Sequence, residues 1–230
     1  MKKAVAWFIV LLLLLSLTAC SAPEAPMLTH EAQPEKGTET PAESAAQQAS
    51  QESEKQFSHG AWEGRTFASD YAELTLTLPD ESWVISTDEE LAELMNISLD
   101  DAEGNLLEKS MMQLTNSTDM MAQHPETGAS IILMYENLGL NPAAKGLTVE
   151  DYAQIIADGL TGNESFSYVV DEPVTVTLCG NEYLALYAHV EEYDLHQAYL
   201  MRYEGDRMVD LILTGVGEDG VEALLNLFAD

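Results

Sequence analysis

The sequence has 230 residues, of which 46% are hydrophobic and 7% aromatic, and this composition suits one folded domain of ordinary size. Nine lysines and arginines stand against 40 aspartates and glutamates, which gives a formal net charge of −31 at neutral pH. This charge excludes nucleic-acid binding, because an acidic protein repels phosphate backbones. It also disfavours docking on anionic lipid headgroups, so attachment to a membrane requires a covalent anchor.

Residues 1–19 have the layout of a secretory signal peptide. Lys2 and Lys3 form a positively charged start, an apolar stretch follows over residues 4–15, and small residues precede Cys20. The apolar stretch ends at Ser16 and is shorter than the roughly 20 residues that a membrane-spanning helix needs. We therefore predict that this segment is removed during export.

The tetrad Leu17-Thr18-Ala19-Cys20 resembles the lipobox of bacterial lipoproteins. The resemblance implies that Cys20 carries a diacylglycerol and becomes the first residue after cleavage. It also implies an exported protein that a lipid anchor holds at the outer face of the bacterial cell membrane. Cys179 is then the cysteine left over, so we expect no disulfide within the mature chain.

Residues 20–57 are predicted to form the lipidated end and a disordered acidic tether. The segment is rich in Ala, Pro, Ser, Glu and Gln and has no apolar period. Because it has no apolar face to bury, we expect it to contribute nothing to folding. Residues 58–230 are predicted to form a single α+β domain, and its 33 acidic and five basic residues give it a net charge of −28.

From Trp62 onward the chain is punctuated like an α+β domain. Alternating apolar residues and short apolar runs, bounded by turn residues, predict strands near 74–78, 83–85, 120–121, 129–135, 174–179, 183–191, 195–203 and 208–214. Capping residues and apolar stripes predict helices near 87–95, 148–162 and 221–228, and the clearest of these has Thr148 as its N-cap with Asp151 three residues later. Turns at Tyr193-Asp194 and Gly205-Asp206 make the last three strands antiparallel in sequence order. We expect an antiparallel sheet of about six strands, with helices packed on its faces.

This order of elements resembles the Mog1/PsbP-like α/β/α sandwich over roughly residues 65–229. The residues that carry the resemblance are the strand 74–79 with Trp83, the helix 149–160, the meander 174–214 and the last helix from Val221. The resemblance implies an accessory or binding role, and it transfers no functional residue. The lipobox, the acidic tether and this domain together are similar to uncharacterised lipoproteins of Gram-positive gut bacteria.

Three potential metal ligands are predicted to meet at one hairpin. If Glu192 faces Leu195 across the turn, Glu191 lies opposite His196, and strand alternation places His189 on the same face. Imidazole and carboxylate groups are common zinc ligands, so His189, Glu191 and His196 are candidates for a divalent-metal site. The alternative interpretation is an exposed hairpin tip on an acidic surface.

Motifs for catalysis and cofactor binding are weak in this sequence. We find no nucleophile elbow, no H-E-x-x-H, no P-loop and no Ser/His/Asp set with suitable spacing. The pattern G-x-G-x-x-G occurs at residues 215–220, but Glu218 and Asp219 would repel a pyrophosphate there. We therefore expect no catalytic residue, and no cofactor apart from the lipid on Cys20.

The sequence favours a membrane-anchored binding or accessory module of the cell envelope that is not an enzyme. Its acidic domain would bind a cationic peptide, an envelope protein or a small ligand. Two alternatives stay open: a lipoprotein that scavenges divalent metal ions, and an envelope hydrolase that uses a pair of carboxylates.

Overall fold

The structure, a computed structural model, describes residues 55–93, 116–140, 144 and 146–229. The predicted signal peptide, Cys20 and the predicted tether as far as residue 54 lie outside the described residues. Within the described part of the chain, no helix is long and apolar enough to cross a membrane.

Eleven strands form two sheets within the described residues, and every strand pairing in them is antiparallel. The smaller sheet has the order β1-β2-β3 and contains β1 (Ala61–Glu63), β2 (Thr66–Ser69) and β3 (Leu74–Thr77). The larger sheet contains β4 (Val84–Ile85), β5 (Asn116–Gln123), β6 (Ser130–Glu136), β7 (Val169–Val170), β8 (Val174–Leu178), β9 (Asn181–Val190), β10 (Leu195–Glu204) and β11 (Arg207–Val216). The larger sheet thus has eight strands instead of about six. The strands without any prediction are β1, β2 and β7, which are too short to show a period in the sequence.

The larger sheet has the order β4-β5-β6-β11-β10-β9-β7, and β8 lies beside β7 on the same edge of β9. The predicted meander from β8 to β11 is confirmed. Strand β11 also pairs with β6, which places the last strand of the chain in the middle of the sheet. The α+β class with antiparallel sheets is therefore confirmed.

Side-chain alternation gives the larger sheet two buried faces. On one face, Leu211 and Leu213 of β11 belong to an apolar cluster that includes the smaller sheet and helix α2 (Gly220–Leu225). On the other face, Met208 and Ile212 belong to a second cluster that includes helix α1 (Val149–Thr161). Helices thus pack on both faces, as predicted.

Helix α1 begins where the sequence predicted. The Thr148 hydroxyl accepts a hydrogen bond from the Asp151 amide (3.1 Å), and the Asp151 carboxylate accepts one from the Thr148 amide (3.0 Å). This capping box satisfies two amides that the first turn leaves unpaired. A further helical segment over residues 88–93 begins after Thr87, whose amide donates to Glu90 (2.8 Å).

The glycines of the G-x-G-x-x-G pattern have a packing role. A Cβ atom on Gly215 would lie 2.4 Å from the carbonyl carbon of Gly220, so the end of β11 touches the start of α2. Gly217 between them has φ of +86°, a left-handed conformation that favours glycine. The pattern therefore serves a tight connection between β11 and α2.

The folded unit begins before residue 58. Phe57 packs against the apolar core, with its ring 3.8 Å from the guanidinium carbon of Arg207 and edge-on to Tyr71 and Tyr135. The Lys55 ammonium lies 2.6 Å from the Glu73 carboxylate. Lys55 and Phe57, which the sequence assigned to the tether, therefore contact the folded residues.

We expect a truncated protein that begins at Ser58 to be less stable than one that begins at Lys55. Loss of the partly buried Phe57 ring and its cation–π contact should cost about 2 kcal/mol, which lowers the melting temperature by roughly 5 °C in a domain of this size. Calorimetry of the two proteins measures the difference, and the full mature chain with Phe57→Ala is the control for chain length. Equal melting temperatures for all these proteins would show that residues 55–57 do not stabilise the domain.

Candidate functional site

The hairpin between β9 and β10 has a different register from the predicted one. Val190 pairs with Leu195, so His189 lies directly opposite His196. Glu191 is not in a strand; it starts the 3-10 turn Glu191–Tyr193, and Asp194 follows in a left-handed conformation with φ of +51°. The prediction that Glu191 faces His196 was wrong, because the connection takes four residues instead of two. A shift by two residues keeps a side chain on its face, so the two histidines still meet.

The two imidazole rings stack across the strands. Their centroids are 5.7 Å apart and their planes differ by 16°. An Asp194 carboxylate oxygen lies 3.4 Å from Nε2 of His196. Of the three predicted metal ligands, the structure brings together His189 and His196 and places Glu191 in the turn. Among the residues that the structure describes, no group of three or more His, Cys, Asp or Glu side chains is arranged to hold a metal ion.

The histidine pair lies in a cleft of about 400 Å³ between the sheet and helix α2. Its polar lining consists of carboxylates, imidazoles, one phenol and one amide, and its apolar lining comes from one alanine and two residues of α2. The ten lining residues are Asp171, Tyr187, Ala188, His189, His196, Gln197, Glu218, Val221, Glu222 and Leu225. No lysine or arginine lines this cleft. We call it the histidine cleft.

Backbone structure fixes the position of each carboxylate that lines the histidine cleft. Glu218 follows the Gly215 and Gly217 turn, and Glu222 lies on α2. Asp171 follows β7, and its amide donates to the Tyr187 carbonyl (2.9 Å) on the neighbouring strand. Three carboxylates from separate segments therefore surround the imidazole pair. Such a site attracts cations and repels anions.

A second, smaller cleft of about 270 Å³ lies between helix α1 and the β7–β8 connection. Glu150, Asp158 and Glu172 line it, and Asp171 lines both clefts. Again no basic side chain contributes to the lining. The negative charge thus continues around this edge of the sheet.

A pair of carboxylates, the half-buried Glu136 and the buried Asp210, lies on the α1 face of the sheet. The Tyr152 hydroxyl of α1 donates to Glu136 (3.0 Å), and burial raises the pKa of Glu136. Burial, reinforced by the nearby Glu136, raises the pKa of Asp210 to about 7. Neither carboxylate lines either cleft. The one indication in the sequence was an aspartate at position 210 inside the apolar strand 208–213.

No family model and no curated protein matches this sequence. Among solved structures, the chain is similar to the solution structure of cyanobacterial PsbP (CyanoP) from Synechocystis sp. PCC 6803. The sequence identity is 11%, the TM-score is 0.42, and the match covers 74% of this chain and 97% of that chain. The fold class assigned above rests on the strands and helices themselves.

Asp210→Asn should make the stability of the domain less dependent on pH. Burial raises the pKa of Asp210 from about 4 in the unfolded chain to about 7 in the folded one, so the folded state retains a proton that the unfolded state loses. The contribution of Asp210 to the free energy of unfolding is therefore fully present below about pH 4 and is lost as the pH rises to about 7, by on the order of 4 kcal/mol. Urea unfolding at several pH values in this window measures the effect.

The matched control for this comparison is Asp70→Asn, since the Asp70 side chain is exposed. We expect this control to follow the wild-type pH dependence. Parallel stability curves for wild type and Asp210→Asn would contradict the assignment of the pH dependence to Asp210.

Proposed function

We propose that this protein is a lipoprotein, anchored through diacylglycerol on Cys20 at the outer face of the bacterial cell membrane, whose domain binds a cationic ligand in the histidine cleft. The observation that carries the proposal is the lining of that cleft: three carboxylates and two imidazoles, with no lysine or arginine. We infer a binding role and not turnover for this cleft.

The dimensions and charge of the histidine cleft define the class of ligand. A volume of about 400 Å³ lies within the range of small-molecule sites, and it also admits one or two side chains of a peptide. Val221 and Leu225 offer apolar contact beside the carboxylates, which suits the aliphatic stem and charged head of a lysine. A cationic peptide is therefore the preferred ligand, and the domain charge of −28 would speed its encounter.

A divalent metal ion is the second candidate, and the facing pair of His189 and His196 is what favours it. A metal on this pair would need its further ligands from Asp171, Glu218 or Glu222 after side-chain movement. Zinc titration of the purified domain separates the candidates. Micromolar one-to-one zinc binding that His189→Ala with His196→Ala abolishes would replace the peptide proposal by metal scavenging.

The peptide proposal predicts that removing carboxylates from the histidine cleft weakens binding more than removing the same charge elsewhere. With a labelled oligolysine peptide, Glu218→Gln with Glu222→Gln should reduce affinity roughly tenfold, because each partly exposed ion pair contributes up to about 1 kcal/mol. Anisotropy titrations at low salt and above ~0.15 M measure this, since screening should weaken binding at the higher salt concentration.

The control with the same net charge is Glu63→Gln with Glu81→Gln, because both side chains are exposed and lie outside the cleft. We expect less than about a twofold change in affinity for this control. Equal losses in the two double variants would show that the peptide responds only to the overall charge, and the assignment to the histidine cleft would be abandoned.

The proposed anchor predicts that Cys20→Ala changes the physical partitioning of the protein. Expressed in a bacterium, the wild-type protein should enter the detergent phase, whereas the variant should stay out of it, because the acyl chains supply most of the apolar surface for membrane binding. Phase separation followed by immunoblotting measures this. A Cys179→Ala variant is the control for loss of a thiol, and unchanged partitioning of Cys20→Ala would reject the lipid anchor.

A further inference from the structure

A serine, a histidine and an aspartate meet on strand β5, on the other side of β6 and β11 from the histidine cleft. Nδ1 of His59 lies 2.9 Å from a carboxylate oxygen of Asp119, and Nε2 of the same ring lies 3.4 Å from the hydroxyl of Ser117. Ser117 and Asp119 come from β5, and His59 comes from the segment before β1. This is the order of contacts that activates a serine nucleophile, and it is recognised by geometry and not by spacing along the chain.

A β-bulge turns the aspartate toward this group. Thr118 pairs with Met134 and Met120 pairs with Leu133, so Asp119 is an extra residue between them. Bulges often re-aim a side chain at functional sites. The Asp119 side chain is 1% exposed and accepts hydrogen bonds from the Gly60 amide (3.0 and 3.1 Å) and from the Tyr135 hydroxyl (2.8 Å). Burial raises the pKa of Tyr135, which keeps this hydroxyl a donor.

The Asp119 carboxylate determines which nitrogen of His59 carries the proton. An ionised carboxylate only accepts, so Nδ1 donates to it and Nε2 keeps a lone pair for the Ser117 hydroxyl. The ring is 54% exposed, so a solvent molecule or a small reactant can approach it. His59 is therefore oriented as a base toward Ser117.

In a second serine and histidine pair of the same domain, the hydrogen bond between the two side chains runs in the opposite direction. The Thr127 amide donates to Nδ1 of His124 (3.3 Å), so Nε2 carries the proton and donates to the Ser82 hydroxyl (2.8 Å). The Ser82 hydroxyl in turn donates to Asp80. Ser82 thus faces a hydrogen-bond donor, whereas Ser117 faces an acceptor, and the protein contains its own matched control.

We propose that Ser117 is a nucleophile toward small activated esters, with His59 as the general base and Asp119 as the residue that positions His59. The Ser117 oxygen attacks the ester carbonyl carbon and its proton passes to Nε2 of His59. The bond to the leaving alcohol then breaks, and this alcohol takes the proton from His59. The product is an acyl-serine, which water hydrolyses to a free acid and the original serine.

The test is acetylation of the purified protein by p-nitrophenyl acetate, followed by release of nitrophenolate and by mapping of acetylated peptides with mass spectrometry. Ser117 should be acetylated at least ~100-fold faster than Ser82, the lower range of what a positioned base contributes. His59→Gln should remove this advantage while the exposed side chain leaves the fold intact, and Ser82→Ala should leave it unchanged. Acetylation of Ser117 no faster than that of Ser82, or an unchanged rate in His59→Gln, would overturn the proposal.

The positioning role of Asp119 has a separate readout. Nitrogen NMR of the imidazole rings should show the proton on Nδ1 of His59 and on Nε2 of His124. Asp119→Asn should disturb the His59 tautomer and leave that of His124 unchanged. A proton on Nε2 of His59 in the wild-type protein would overturn the assignment. Because none of these readouts involves the histidine cleft, failure here is distinct from failure of the proposed peptide binding.

Discussion

The burial of strand β11 on both faces is the constraint on which the rest of this domain depends. Its residues alternate between the two apolar clusters, and each cluster needs a cover. Helix α1 covers one face, and the smaller sheet with α2 covers the other. The short α2 lies against β10 and β11 and leaves His189 and His196 only partly covered at the end of the hairpin. The histidine cleft thus results from how the core is closed.

The distribution of basic residues explains why the clefts are so acidic. The Arg202 guanidinium donates to the Ala72 carbonyl (2.8 Å), Arg207 stacks on Phe57, and Lys55 pairs with Glu73. The partners of these three cations lie at the start of the domain and in the β2–β3 connection. The histidine cleft, at the other end of those strands, is lined by no lysine or arginine, so its carboxylates remain available to a ligand.

Local structure gives the histidines of this domain different chemistry. The Asp119 carboxylate accepts a hydrogen bond from Nδ1 of His59. In contrast, the Thr127 amide donates a hydrogen bond to Nδ1 of His124. His189 and His196 instead face each other with their rings stacked. The composition does not distinguish these four histidines, whereas the role of each one depends on the groups that its ring nitrogens contact.

Interactions between residues close in the chain could be predicted from the sequence. The capping box of Thr148 and Asp151 spans one helical turn. The predicted two-residue turn Gly205-Asp206 was also correct, since Glu204 pairs with Arg207 in the β10–β11 hairpin. Alternation and apolar runs likewise predicted β6 and the strands from β8 to β11, whereas only two of the eight residues of β5 were predicted. The net charge follows from composition alone.

The tertiary structure decided what depends on contacts between distant residues. The β9–β10 turn has four residues, and its Asp194 carbonyl accepts a hydrogen bond from the Gly217 amide (2.9 Å) beyond the end of β11. Residues 189–196 alone give no indication of this contact, so the predicted position of Glu191 was wrong. The prediction that His189 and His196 share a face of the sheet was correct. The position of β11 beside β6, the docking of Phe57, and the meeting of His59 with Asp119 are of the same kind. Composition and short-range pattern determined the longer helix α1, the meander strands, the charge and the predicted export signal. Only the packing of the sheet determined which side chains face one another, because those distances depend on the whole core.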